Sequence, residues 1–369
     1  MKIGILTFHN AHNYGAVLQV YALKKAIEKL GHKVIVVDYR NNIIEGQYPY
    51  KRKVSLEGGK NKLKFPLNYM KYLYSNKQYH EKWNKFNEWI AYYVLEDLVR
   101  CTKKQLSKLD LDMFICGSDQ IWNPGLTGGF DGVYFADFET KAKKVTYAAS
   151  MGLSALPEEQ EVQFASYLKN FDMLSVREQN LADYIKKISG IEAEVVVDPT
   201  LLLEAEEYEK LIVEMPLPEK YVLVYCLMDN EEMLKSAYDY AEKKGLKVVE
   251  FRYFKNIKHF GKIQVANAGP GEFLGLIKNA ELILTNSFHG TVFSMLFQKK
   301  FYTVALGAVS SRMESLLNLA GLTERYISNG QYEMIDMEKE IEYEKVKERI
   351  KEEQKKSYSY LEKIFCGYE

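Results

Sequence analysis

A chain of 369 residues exceeds one ordinary compact core and suits two domains of roughly 150 to 200 residues each. Its 47% hydrophobic and 13% aromatic content excludes an intrinsically disordered chain. The 50 basic residues balance the 50 acidic ones, leaving no overall field to gather nucleic acid, so a nucleic-acid partner is not expected.

The opening run from Met1 to Leu6 reads as a first strand rather than a signal peptide. No segment approaches the roughly 18 apolar residues needed to cross a bilayer. A cytoplasmic protein is expected, with the inner face of the membrane as a place of work. Short β-branched or apolar runs then alternate with amphipathic stretches, the pattern of parallel sheets covered by helices. Strands are predicted near 2–7, 33–38, 112–116, 144–149, 171–176 and 193–198, then near 220–226, 246–251, 281–285 and 301–305. Helical runs include Val17–Leu30, Asn180–Lys187, Glu231–Lys244 and Ser311–Leu319.

This is an α/β chain, one doubly wound unit followed by another. Pro199, Pro216 and Pro218 bracket the acidic stretch Glu204–Glu209, and proline neither continues a helix nor donates to a ladder, so the break falls there. The expected layout is a first domain over 1–205 carrying an insertion at about 45–100, a second over 206–330, and a helix or helix pair over 331–369. The insertion has Lys51, Arg52, Lys53, Lys60, Lys62 and Lys64, then Tyr69, Tyr72, Tyr74, Tyr79, Trp83 and Trp89. It reads as a helical hairpin packed on the first domain; the alternative is a basic, aromatic flap reaching a lipid-linked sugar at an anionic membrane surface.

Cys101, Cys116, Cys226 and Cys366 are too dispersed for a disulfide framework or a metal site. They read as packing cysteines, with a nucleophilic Cys116 at a strand end as the alternative.

In open parallel sheets, ligands bind beyond the carboxyl ends of strands, so functional residues are sought just after strands. The densest such segment runs from Leu282 through Asn286, Ser287, Phe288 and His289 to Gly290. Exposed amides at the following helix start suit a carboxylate or phosphate, and His289 can transfer a proton near neutral pH. Arg177 ends another apolar run, and its planar fork suits a carboxylate or phosphate, although Glu178 or Asp183 could pair with it locally. Asn13 and Gly15 precede a helix whose amides could cradle an anion, while His9 and His12 lack a third metal ligand. Asp119 could accept a proton from a sugar hydroxyl or simply bond a turn. Gly269 to Gly275 imitates a dinucleotide glycine loop, but its spacing is wrong and Pro270 interrupts it.

HNYGAVLQVYAL at 12–23, CGSDQIWNP at 116–124, YAAS at 147–150, SVRE at 175–178, VVDPTLLL at 196–203 and NSFHGTVFSMLF at 286–297 together resemble the polysaccharide pyruvyl transferase family. The resemblance implies two Rossmann-like domains facing a cleft as in type B glycosyltransferases. It also implies transfer of a pyruvyl group from phosphoenolpyruvate to a hydroxyl pair of a sugar, as a ketal, in making an exopolysaccharide or other cell-envelope glycan. Phosphoenolpyruvate is then a co-substrate, the acceptor a saccharide that is free or lipid-linked, and no metal or redox cofactor is required. His289 is assigned as acid/base and Asp119 as base for the acceptor, with Arg177, Asn13, Gly15, Asn286, Ser287 and Gly290 as the anion-binding set. The family's Arg-Leu-His is here Ser287-Phe288-His289, so one charge is missing; Arg312, Lys299 and Lys144 are the candidates to supply it. A type B-like glycosyltransferase using a nucleotide-sugar and a non-catalytic glycan-pathway protein remain the other readings.

Overall fold

The computed structural model describes residues 1–50, 65–95, 100–255, 259, 261–304, 310–328, 332 and 336–366, with backbone alone at 65–75 and 310–311. The six basic residues of the insertion between 51 and 64 lie outside the described residues.

The first unit carries β1 (Lys2–Leu6), α1 (Tyr14–Lys29), β2 (Lys33–Val36), α2 (Asn42–Gly46), α3 (Phe65–Tyr93), α4 (Lys103–Leu106), β3 (Met113–Cys116), α5 (Pro124–Thr127), β4 (Lys143–Thr146), α6 (Glu158–Leu168), β5 (Ser175–Val176), α7 (Gln179–Ser189) and β6 (Glu194–Val195). Then follow α8 (Ala205–Glu209), β7 (Tyr221–Tyr225), α9 (Glu231–Lys244), β8 (Lys247–Phe251), β9 (Ile263–Val265), α10 (Pro270–Lys278), β10 (Leu282–Thr285), α11 (Phe288–Leu296), β11 (Lys300–Val304), α12 (Ser310–Ala320), β12 (Tyr326–Ile327) and α13 (Tyr343–Phe365).

The first sheet runs β2-β1-β3-β4 and the second β12-β11-β10-β7-β8-β9, and every pairing is parallel. Bridges Val145↔Met173 and Ala149↔Val176 bring the short β5-β6 pair to the edge of the first sheet. All five residues of β7 and all four of β3 are buried, because helices cover both faces; hence the unbroken apolar runs.

Two helices cross between the units. α13 leaves the second and docks on the first: Tyr360 donates to the Thr146 carbonyl at 2.8 Å, Gln354 to that of Leu201 at 2.6 Å, and Ser357 Oγ accepts the Val197 amide at 3.0 Å. The expected helix or helix pair is this one helix. The insertion helix α3 does not pack on the first unit alone. Lys82 donates to the Tyr253 carbonyl at 3.2 Å, Lys85 pairs with Glu272 at 2.5 Å, and Tyr79 lies 5.7 Å from Phe254. Its aromatic residues thus serve two surfaces. Among the described residues, no helix is long and apolar enough to cross a membrane.

One hydrophobic cluster is shared by the units. Tyr14, at the start of α1, stacks on Phe273 of α10 at 4.8 Å and donates to the Ala268 carbonyl at 2.8 Å. The carboxyl ends of the strands therefore face one another, the arrangement implied by the family resemblance.

Candidate active site

The turn after β10 is built by small polar side chains. Thr285 Oγ1 donates to the Tyr225 carbonyl and accepts the Ser287 amide at 3.1 Å. Ser287 Oγ accepts the Gly290 amide at 3.2 Å and so caps α11. Asn286 accepts the Leu227 amide at 2.7 Å and donates to the Met228 carbonyl at 2.9 Å, tying this turn to the one after β7. A Cβ at Gly290 would meet Thr285 and Tyr225. Asn286, Ser287 and Gly290 thus shape the turn with their side chains and their lack of one, and the Gly290 amide is already taken. The amides of Phe288 and His289, in the first turn of α11, have no intrahelical acceptor.

That turn delivers Phe288 and His289 to the first unit. His289 Nε2 lies 3.6 Å from Asp198 Oδ2, too far for a hydrogen bond, and is buried with no hydrogen-bond partner. The ring leans on Gly15, where any Cβ would overlap it. Arg177 comes from the end of β5; its Nη1 donates to Asp198 Oδ2 at 2.5 Å and its Nε to Glu178 Oε1 at 3.1 Å. Its guanidinium also sits 4.7 Å from the Phe288 ring, a cation–π contact between the units. Arg177 and His289, from opposite halves of the chain, therefore meet at one carboxylate.

Asp198 is 2% exposed and its other oxygen accepts from the Thr200 amide at 3.0 Å and hydroxyl at 2.6 Å. Burial alone would raise its carboxyl, but His289, Arg177 and Thr200 outweigh burial and hold it well below the usual carboxylate range. Burial likewise works against the Arg177 charge, and Glu178, Asp198 and Asp119 overcome it and raise the guanidinium above its ordinary value. Arg177 Nη2 remains buried without a partner.

The other candidates divide. Asp119 is half-buried with φ 69°, and its Oδ1 accepts the Gln120 amide at 2.8 Å, leaving one oxygen for other work. Asn13 caps α1 by accepting the amides of Gly15 and Ala16 at 3.0 and 3.3 Å. An anion cradle made of those amides is thereby corrected: their donors are satisfied, and Gly15 instead gives the His289 ring its room. His9 bonds the buried Asp38 at 2.9 Å. Burial, with Lys82, lowers His12 to about 4. Burial pushes the Cys116 thiol up to about 12, which removes it as a nucleophile. Gly269 and Pro270 open α10, and Glu272 reaches back to the Gly269 amide at 3.0 Å, a structural cap.

Of the basic residues offered for the missing charge, Lys144 sits in the first half of β4 and donates to the Phe138 carbonyl at 2.6 Å, while Lys299 precedes β11; both lie at the amino ends of strands. Arg312 lines a cavity with Arg177, Asp198 and Phe288.

Sequence spacing gave Asp198 no role, because a residue before proline at a domain break reads as punctuation. The available signal was the one that found Arg177: a charge ending an apolar run, Val196-Val197-Asp198.

Solved structures of similar shape cover most of the chain at low identity. A UDP-GlcNAc 2-epimerase from Methanocaldococcus jannaschii is 15% identical, with 95% of this chain and 92% of that chain covered and a TM-score of 0.48. The Neisseria meningitidis UDP-GlcNAc 2-epimerase bound to UDP-GlcNAc is 9% identical over 95% and 98%, with a TM-score of 0.45. The E. coli heptosyltransferase WaaC with ADP is 10% identical over 96% and 100%, with a TM-score of 0.42. No curated protein sequence matches. The model of the polysaccharide pyruvyl transferase family matches residues 13–307, most of the length and all but the first residue of the segments quoted above, and the chain belongs to that family.

Proposed function

We propose that the protein transfers a pyruvyl group from phosphoenolpyruvate to two hydroxyls of a sugar in a cell-surface glycan or its precursor, forming a ketal and inorganic phosphate. The observation that carries this reading is the convergence of Arg177 and His289 on Asp198, with Arg177 Nη2 and His289 Nε2 left without partners. Arg177 holds the donor's anionic end, helped by the first amides of α11. His289 gives a proton to the donor's methylene carbon, and Asp198, 3.6 Å from Nε2, faces the ring's positive charge when it is protonated. The neighbouring carbon gains cationic character, and one sugar hydroxyl adds there, passing its proton to Asp119. Phosphate departs with the electron pair of its C–O bond, and the second hydroxyl closes the ketal as its proton passes to His289, restoring the acid.

The acceptor in this reading is a saccharide, lipid-linked where the chain works at the inner face of the membrane. No metal or redox group takes part in these steps. The test is incubation with phosphoenolpyruvate, or with a panel of nucleotide-sugars, and a panel of acceptors. Phosphate release dependent on acceptor is expected; nucleotide release instead would identify a glycosyltransferase, and neither product would leave a non-catalytic role.

A further inference from the structure

The aromatic residues of the insertion take no part in the chemistry above, yet they stand beside it. Tyr48 and Tyr50 follow α2 and lie against α3, where Trp83 Nε1 donates to the Tyr48 carbonyl at 3.1 Å and Tyr79 OH to that of Pro49 at 2.8 Å. Those side chains pin the backbone of this short segment. The Tyr50 ring stacks on His80, with centroids 4.7 Å apart and planes 13° from parallel, and meets the Trp83 ring edge-on at 4.8 Å. One face is thus covered, and the residue is still 46% exposed. Tyr48 sits deeper. Its ring packs on His12 at 5.4 Å, and His12 precedes the Asn13 cap and the Gly15 on which the His289 ring leans. Burial raises the Tyr48 phenol to about 12, and the nearby charge of Asp119 adds to the rise. The aromatic row therefore runs from Asp119 outward to solvent, Tyr48 first and Tyr50 two residues on. A tyrosine ring on a fixed backbone offers an apolar face with a polar tip and loses little freedom on binding. A saccharide matches it, since a pyranose can lay a face of C–H groups on the ring while its hydroxyls stay in water.

We propose that Tyr48 and Tyr50 form a platform for an acceptor of at least two linked sugars, Tyr48 facing the ring whose hydroxyl passes its proton to Asp119 and Tyr50 stacking under the next ring out. The proposal rests on the pyruvyl-transfer reading for the reaction at the first ring. The stacking at the second needs only a saccharide. The preferred acceptor is thus a disaccharide unit or longer chain rather than a single sugar.

The measurement is calorimetric titration of the wild type, Tyr50→Ala and Tyr50→Phe with the methyl glycosides of galactose, glucose and mannose, with lactose, cellobiose and mannobiose, and with octyl glucoside, melting temperatures serving as the folding control. A disaccharide should bind the wild type more tightly than the methyl glycoside of its outer sugar. Tyr50→Ala should lose about 10-fold of that affinity, and less for the methyl glycoside, while Tyr50→Phe stays within about twofold because the ring is kept. Disaccharide affinity within about twofold of wild type in a folded Tyr50→Ala overturns the platform and does not touch the pyruvyl-transfer reading. A disaccharide bound no more tightly than its methyl glycoside does the same. A loss in Tyr50→Phe as large as in Tyr50→Ala also overturns it, since the hydroxyl and not the ring face then does the holding. Tighter binding of octyl glucoside than of cellobiose, weakened in Tyr50→Ala, assigns the ring to an alkyl chain and overturns the saccharide occupant. Binding of none of the probes overturns the platform. Weakened disaccharide binding in Tyr50→Ala, together with nucleotide release from a nucleotide-sugar instead of phosphate release from phosphoenolpyruvate, sinks the pyruvyl-transfer reading and keeps the platform.

Discussion

Arg177 and His289 share one carboxylate but should fail differently when removed. Arg177→Ala should raise the apparent Michaelis constant for phosphoenolpyruvate, since a residue that holds an anion binds ground and transition states alike. His289→Ala should instead lower turnover about 100- to 10,000-fold at saturating donor. Steady-state phosphate release checks both, and full turnover in His289→Ala at saturating donor withdraws the acid/base role. Asp198→Asn removes one of the two carboxylates paired with the buried Arg177, leaving Glu178, and should cost up to about 3 to 5 kcal/mol in denaturant unfolding. Because the folded Asp198 carboxyl is depressed, its stabilisation is present above the unfolded value of about 3.9 and lost as pH falls below it. The Asn variant should therefore show less acid destabilisation in that range. His12 works in a different window. It stacks on Phe86 at 5.2 Å and receives the Asn87 amide at 3.2 Å, and burial holds it at about 4. An unfolded imidazole takes up its proton near 6.5, so stability should fall by up to about 3 kcal/mol as pH drops from about 6.5 to about 4. Unfolding curves of His12→Gln across that interval should be flatter than wild type.

The helices that present these side chains depend on single contacts. Ser287→Ala removes the cap of α11 and should cost about 1 kcal/mol, with a further fall in turnover because the first turn of that helix carries His289. Gly15→Ala should reduce activity strongly, since its Cβ would overlap the His289 ring and displace it, with the melting temperature as the folding control; unchanged turnover would mean the ring's position is not required. Elements with long uniform patterns were readable in the sequence: α9 spans the expected Glu231–Lys244, and β7, β8, β10 and β11 fall within a residue of their expected ends. β9 and β12, of three and two residues, carry too little pattern to stand out from a loop. α1 begins at Tyr14 rather than Val17 because Asn13 caps it. At the site, His289 and Arg177 were legible as charges ending apolar strands. The meeting at Asp198 was not, because it depends on how the two units pack, and periodicity reports only local structure. Asn13 and Gly15 show the same limit, since a capping Asn and an anion-binding turn look alike until the acceptor of each amide is known.

The two units are joined by more than the connecting chain, for α3 and α13 each contact both and Tyr14 belongs to a hydrophobic cluster running through them. Thermal unfolding should therefore be a single cooperative transition, with calorimetric and van't Hoff enthalpies in agreement; two resolved transitions would show that the units melt independently. The docking of α13 also bears on how the chain is made. Synthesis delivers β1 to β6 first, at about 5 to 20 residues per second. Yet the groups that Tyr360, Ser357 and Gln354 satisfy, at Thr146, Val197 and Leu201, wait until α13 has left the ribosome behind the entire second unit. A nascent chain halted anywhere before α13 presents an uncovered apolar face beside Val197 and Leu201, which chaperones and proteases can recognise as unfinished. The same helix that steadies the segment carrying Asp198 in the mature protein thus works during translation as a seal, closing the first unit after the second has been made.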